Sequence, residues 1–131
     1  MTYFSVDYRF PLKTVSEANR RDHWATKARR VKEQRGISRM EALAHLQPIV
    51  RDLSTGRLSI TLIRGAPRRL DTDNLASALK AVRDGIADFL GIDDGSEAVE
   101  WRYDQERCSA APRSAGLPYR KGYVRVKVER K

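Results

Sequence analysis

Residues 71–90 read DTDNLASALKAVRDGIADFL, and in them Leu75, Leu79, Val82, Ile86 and Leu90 recur at steps of three and four. That spacing keeps one face apolar along the whole segment and predicts a helix from about Asn74 to Leu90. Just upstream, Leu58, Ile60 and Leu62 alternate with Ser59, Thr61 and Ile63, which reads as a strand with one apolar and one mixed face, closed by Gly65 and Pro67. Just downstream, Val99, Trp101 and Tyr103 alternate with charged residues in a second strand.

Toward the N-terminus, Tyr3 to Phe10 alternates aromatic and polar residues and predicts an edge strand ended by Pro11. Val124, Val126 and Val128 alternate with Arg125 and Lys127 in a closing strand. Between Asn19 and Leu46, the positions Trp24, Ala28, Val31, Met40 and Leu43 recur near helical spacing and predict one or two amphipathic helices. Gly36 is a point of interruption, Ser16 and Glu17 lie near a helix start, and Pro48 falls just past the end. Trp24 and Trp101 both fall in apolar patterns and read as core anchors, while Cys108 to Tyr119 reads as a Ser/Pro/Gly loop. No repeat or linker divides the chain. The elements are therefore expected to share one core in a single domain, residues 1–131, as an α+β two-layer sandwich: a mixed sheet of about four strands with two or three helices on one face.

With 131 residues and 40% hydrophobic content, the chain is long enough to bury well over half of its unfolded surface. Its apolar runs are only a few residues long, its N-terminus lacks an apolar signal core, and its single cysteine, Cys108, has no internal disulfide partner. These features predict a soluble cytoplasmic protein with no membrane partner. There is no Gly-rich phosphate loop and no Gly-x-Ser-x-Gly elbow, which argues against a nucleoside triphosphatase or a serine hydrolase. His23 and His45 lack partners at metal-ligand spacing, and Cys108 has no His/Asp constellation around it, so all three read as ordinary packing or surface residues.

The formal charge is +9, with 26 Lys plus Arg, and this points to a polyanionic partner. From Glu17 to Arg39, eight basic residues stand against three acids, and Arg20, Arg21, Lys27, Arg30 and Lys32 are candidate phosphate contacts. A solvated helix face with local ion pairs would give the same pattern. Against this background, residues 71–94 hold six Asp, one Lys and one Arg, a net −4 that leaves +13 on the other 107 residues. Carboxylates gathered in a chain that attracts polyanions suggest a bound divalent cation, with Mg²⁺ the natural occupant.

Asp71 and Asp73 lie where strand gives way to helix, and an extended Asp-x-Asp would aim both side chains to one side. Asp93 and Asp94 follow the helix. An aspartate is also a preferred N-cap, and Asp94-Gly95 is an ordinary turn signal. A helix from Asn74 to Leu90 would be roughly 24 Å long and would keep the two pairs apart, unless the chain folds back or a symmetry-related subunit supplies the missing carboxylate. In phosphodiester hydrolysis, Asp71 and Asp73 would hold the ion, Asp94 would complete its ligands or orient water, Lys80 would approach the phosphate, and Arg68 and Arg69 would position the backbone.

The element Asp71-Thr72-Asp73-Asn74, preceded by Arg68-Arg69 and followed by a helix, Lys80 and Asp93-Asp94, resembles the RusA family of Holliday-junction resolvases. The likeness extends to the strand running into Pro11, Asn19, the Arg-rich segment, the strand from Leu58 to Ile63 and the closing strands, in the same order. The resemblance implies a homodimeric, Mg²⁺-dependent endonuclease that places paired nicks in four-way DNA junctions, of a kind often encoded by phages or prophages. It further implies that Asp71, Asp73 and Asp94 are metal-binding catalytic carboxylates with Asp93 beside them, and that Lys80 is the catalytic lysine. In the family pattern the lysine follows the second aspartate by about one helical turn. Here Ser77 stands near that place, and Lys80 comes about one turn later.

Overall fold

The computed structural model describes residues 4–16, 21, 23–49, 57–93, 96–108 and 121–130. Strand β1 (Phe4–Pro11) is followed by helix α1 (Trp24–Leu46), which tightens into a 3-10 turn at Gln47–Ile49. Strand β2 (Leu58–Ala66), helix α2 (Thr72–Leu90) and strand β3 (Val99–Arg107) come next, and strand β4 (Tyr123–Arg130) closes the order. The sheet order is β1-β4-β2-β3. β4 is antiparallel to both β1 and β2, whereas β2 and β3 are parallel from Leu58↔Val99 to Ala66↔Arg107. Parallel neighbours need a crossover, and α2 supplies it. The expected α+β sandwich with a four-stranded mixed sheet is what forms, with β1 at an edge.

The core lies between sheet and helices. Leu58, Ile60 and Leu62 of β2, Val124, Val126 and Val128 of β4, and Tyr8 and Phe10 of β1 meet Leu75, Leu79, Val82 and Ile86 of α2, with Ala42 and Leu46 of α1. β2 is flanked on both sides, so Ser59 and Ile63 on its other face are buried too. The end of α2 is set by Gly91, at φ 69°, where Gly91 N–H bonds Asp88 O and Ile92 N–H bonds Ala87 O. This paired closure needs a left-handed residue that glycine adopts without strain.

Helix α1 departs from its expected pattern. It begins at Trp24, capped by His23, whose Nδ1 accepts from Ala25 N–H at 3.2 Å, and it runs through Gly36 without a break. Its buried residues are Gln34, Ser38, Ala42 and Leu46, whereas Trp24 is 76% exposed, Met40 65% and Leu43 45%. Trp24 is therefore not a core anchor. Around Ser38, where Met40 and Leu43 turn outward, the reason is the close approach of the two helices: a Cβ on Gly85 would lie 2.4 Å from Arg35 O, and Ser38 Oγ donates to Val82 O at 2.7 Å. A contact that tight accepts small side chains and excludes the large apolar ones. Arg35 and Asp88 pair in bidentate fashion at 2.6 and 2.7 Å at the same crossing.

Trp101 is half-buried against the core, and the Arg83 guanidinium lies 5.0 Å over its ring. Gly65 belongs to β2 instead of ending it, because the Tyr123 ring of β4 packs directly on its Cα. The loop expected from Cys108 to Tyr119 falls outside the described residues except for buried Cys108. Among the described residues, no helix is long and apolar enough to cross a membrane.

Candidate functional site

The connection from β2 to α2 carries the basic pair and the first aspartates. Asp71 is the N-cap of α2: its Oδ1 accepts from Asn74 N–H at 2.9 Å, and its carbonyl accepts from Leu75 N–H at 2.8 Å. Asp73 sits in the first turn and is exposed. Both negative charges face the positive end of the helix dipole. The capping alternative is thus realised at Asp71. Because Asp73 is already helical, the two side chains are not alternate residues of one extended strand, as the spacing had suggested.

Three clamps hold this connection, none of which sequence reasoning had identified. The first is Arg64, buried on the same alternation as Leu58, Ile60 and Leu62. Its Nε donates to Thr14 Oγ1 at 2.8 Å, its Nη1 to Arg68 O at 2.8 Å and its Nη2 to Thr14 O at 3.4 Å. Burial pulls the guanidinium below its ordinary pKa. The second is Gln105 of β3, whose amide takes Leu70 N–H at 2.9 Å and donates to Leu70 O at 2.7 Å, mimicking one rung of a strand. The third is Ser16 Oγ, which donates to Asn74 Oδ1 at 2.7 Å. An arginine continuing an apolar alternation is the one signal in the sequence that could have pointed to this clamp.

On α2, Asp73, Ser77, Lys80 and Asp84 follow at steps of four, three and four and share a face. Lys80 Nζ pairs with Asp84 Oδ2 at 3.1 Å, with the lysine side chain 67% exposed. Asp93 lies beyond the C-terminal Gly91, so the 19-residue helix, about 28 Å long, separates it from Asp71 and Asp73. Within one chain Asp93 does not join them, and among the described residues no three His, Cys, Asp or Glu side chains gather as a metal site. Asp94 lies outside the described residues.

Arg68 and Arg69 are exposed beside Asp71, as is Arg21 before α1; Arg20 lies outside the described residues. Lys27 and Lys32 are exposed and Arg30 is half-buried. Lys27 and Lys32 are five residues apart, about 140° around the helix, and do not share a face. Lys27 borders α2, while Lys32 lies with Met40 on the outer side. His45 stacks on Tyr8 at 4.5 Å, and burial raises the Cys108 thiol pKa, which suits the packing roles expected for both.

The sheet face away from the helices carries an ion-pair row. Arg125 binds Asp7 in bidentate fashion, at 2.9 Å through Nε and 2.5 Å through Nη2, and its Nη1 lies 3.6 Å from Glu106 Oε2. Tyr123 Oη donates to Glu106 Oε1, and burial pushes that phenol well above its ordinary pKa.

No protein-family model matches the chain. It is similar to an uncharacterized protein of Xylella fastidiosa (strain Temecula1), at 36% identity over 92 residues. The match covers 69% of this chain and 60% of that relative, so the chain spans less than two thirds of the relative's length.

Proposed function

We propose that this protein is a Mg²⁺-dependent, structure-selective endodeoxyribonuclease that nicks four-way DNA junctions as a homodimer, in the manner of the RusA family it resembles. The observation that carries the reading is the helix end where Asp71 and Asp73 stand exposed beside Arg68 and Arg69 on a connection fixed by three clamps. Asp71 keeps one oxygen beyond its cap bond, and Asp73 contributes a second exposed carboxylate. Such a donor pair fits Mg²⁺, which takes few protein ligands and retains waters. Bound there, the ion supplies the positive charge that makes an attacking water more acidic and offsets charge on the transferring phosphate.

Arg68 and Arg69 hold the strand by its phosphates, and the clamps of Arg64, Gln105 and Ser16 keep their spacing to Asp71 fixed. Asp93, kept from Asp71 and Asp73 by the length of α2, reaches that site from the partner subunit in this reading, and Asp94 would join it there. The setting is the cytoplasm, where branched DNA occurs. Testing the reading requires a labelled four-way junction and a linear duplex of matching sequence, each with Mg²⁺ or with chelator. Junction-selective nicking that needs Mg²⁺ supports it, and an intact junction refutes it.

A second reading follows from the cap bond of Asp71: a non-catalytic nucleic-acid-binding protein of phage or prophage type on the same scaffold, in which the aspartates serve as caps or repel phosphate. It predicts junction binding that Mg²⁺ leaves without cleavage.

A further inference from the structure

Where α1 passes α2, a groove of about 410 Å³ opens, lined by Lys27, Val31 and Gln34 from one helix and Ser77, Lys80 and Asp84 from the other. Two ammonium groups on different helices therefore border one concavity. Lys27 is exposed, and among the described residues no carboxylate pairs with it. Gln34 anchors the α1 wall by donating to Lys13 O at 3.2 Å. On the α2 wall, Asp84 Oδ2 holds Lys80 at 3.1 Å, while Asp84 Oδ1 is buried without a hydrogen-bond partner. Asp84 thus directs the lysine one turn further along α2, away from Asp73.

We propose that this groove binds the phosphodiester backbone of a DNA strand, about three nucleotides from the phosphate held at Asp71 and Asp73, with Lys27 and Lys80 sharing that contact. The inference rests on the nuclease reading for its register and departs from it over Lys80, which holds the strand and takes no part in bond cleavage. Seven residues of helix place Lys80 about 10 Å from Asp73 along the axis. Phosphates of one strand advance about 3.4 Å per nucleotide along a duplex, so about 10 Å spans three of them. The charges match: two ammoniums meet an anion, and Asp84, the carboxylate among the lining residues, serves as an orienting post for Lys80.

The test uses the full chain and a four-way junction in chelator, with affinity measured against salt for the natural protein, Lys27→Ala, Lys80→Ala and the double variant. Each single change should weaken binding about three- to tenfold near 0.1 M salt and reduce the salt slope by about 1. The double variant should lose less than the two losses combined, because one phosphate is shared. Lys80→Arg, which keeps the positive charge at the end of the side chain, should restore affinity. Unchanged affinity and slope in Lys27→Ala and Lys80→Ala overturn the groove, as does a hundredfold loss of single-turnover rate in Lys80→Ala at full affinity. Weakened binding by both variants in a protein that never cleaves sustains the groove and refutes the nuclease. Mg²⁺-dependent cleavage by a protein whose affinity and salt slope are indifferent to both lysines does the reverse.

Discussion

Gly85 of α2 faces α1 at a point where no side chain fits. A Cβ added there would lie 2.4 Å from Arg35 O and 2.7 Å from Ser38 Cβ. The first of these atoms is backbone, so relief requires the helices to part. Overpacking of this kind costs about 1–3 kcal/mol, and losing the Ser38 to Val82 hydrogen bond costs about 1 kcal/mol more. Alanine in place of glycine returns about 1 kcal/mol of helix propensity. Gly85→Ala should therefore destabilise the protein by about 2 kcal/mol. For 131 residues, at about 2.1 cal/mol/K each, that is a fall in Tm of about 7 °C. Gly36, in α1, is the matched control, since a Cβ there meets nothing within 4 Å. Gly36→Ala should show the propensity gain alone and raise Tm by about 4 °C. Both are read from thermal melts followed by circular dichroism. A Gly85→Ala protein that melts at or above the natural one would refute the close helix contact.

Gln105→Leu removes both bonds to Leu70 and should cost about 1–2 kcal/mol while speeding hydrogen exchange at the Leu70 amide; unchanged exchange would show that the clamp does not hold the connection. Arg125, hydrogen-bonded to Asp7, holds that carboxyl below its ordinary value. Its contribution to stability is therefore present above about pH 3.9 and is lost as pH falls through the lower folded value. Asp7→Asn should be less stable than the natural protein near pH 7, with the gap closing below about pH 4, and denaturation curves that stay equally far apart at low pH would contradict this. Asp73→Asn should leave junction affinity equal or higher, since it removes a negative charge facing phosphate; an affinity drop in chelator would indicate that Asp73 serves the fold instead of the ion.

The βαβ centre was legible because its signals are local. The apolar period of α2 and the alternation of β2, β3 and β4 each lie within one element, and their apolar residues form the core face, with Leu90, Trp101 and Tyr103 half-buried against it. α1 was misread because its burial is decided by a neighbour. Gln34, Ser38 and Ala42 face α2 for being small or able to bond, and Gly85, which makes the contact close, lies 47 residues beyond Ser38 in the chain. The clamps were invisible for a similar reason: Gln105 and Leu70 are 35 residues apart, and nothing in either segment announces the other. At the site, the aspartates and basic pair were legible as types in a pattern. Their roles were not, because the N-cap bond of Asp71 and the Lys80–Asp84 pair depend on where α2 begins and how its face turns.

Complementation between two inactive variants examines the shared carboxylate site most directly. Asp73→Asn is mixed, after unfolding and refolding together, with a chain carrying Asp93→Asn and Asp94→Asn, and nicking of a four-way junction in Mg²⁺ is compared with each variant alone and with the natural protein. If the site draws on both subunits, every mixed dimer regains one intact site. The mixture should then give single nicks at about a quarter of the natural site density, assuming random pairing of closed two-fold dimers. A mixture as inert as its components, beside a natural protein that cuts, would contradict assembly across the dimer, and a natural protein that leaves the junction whole would contradict the nuclease itself.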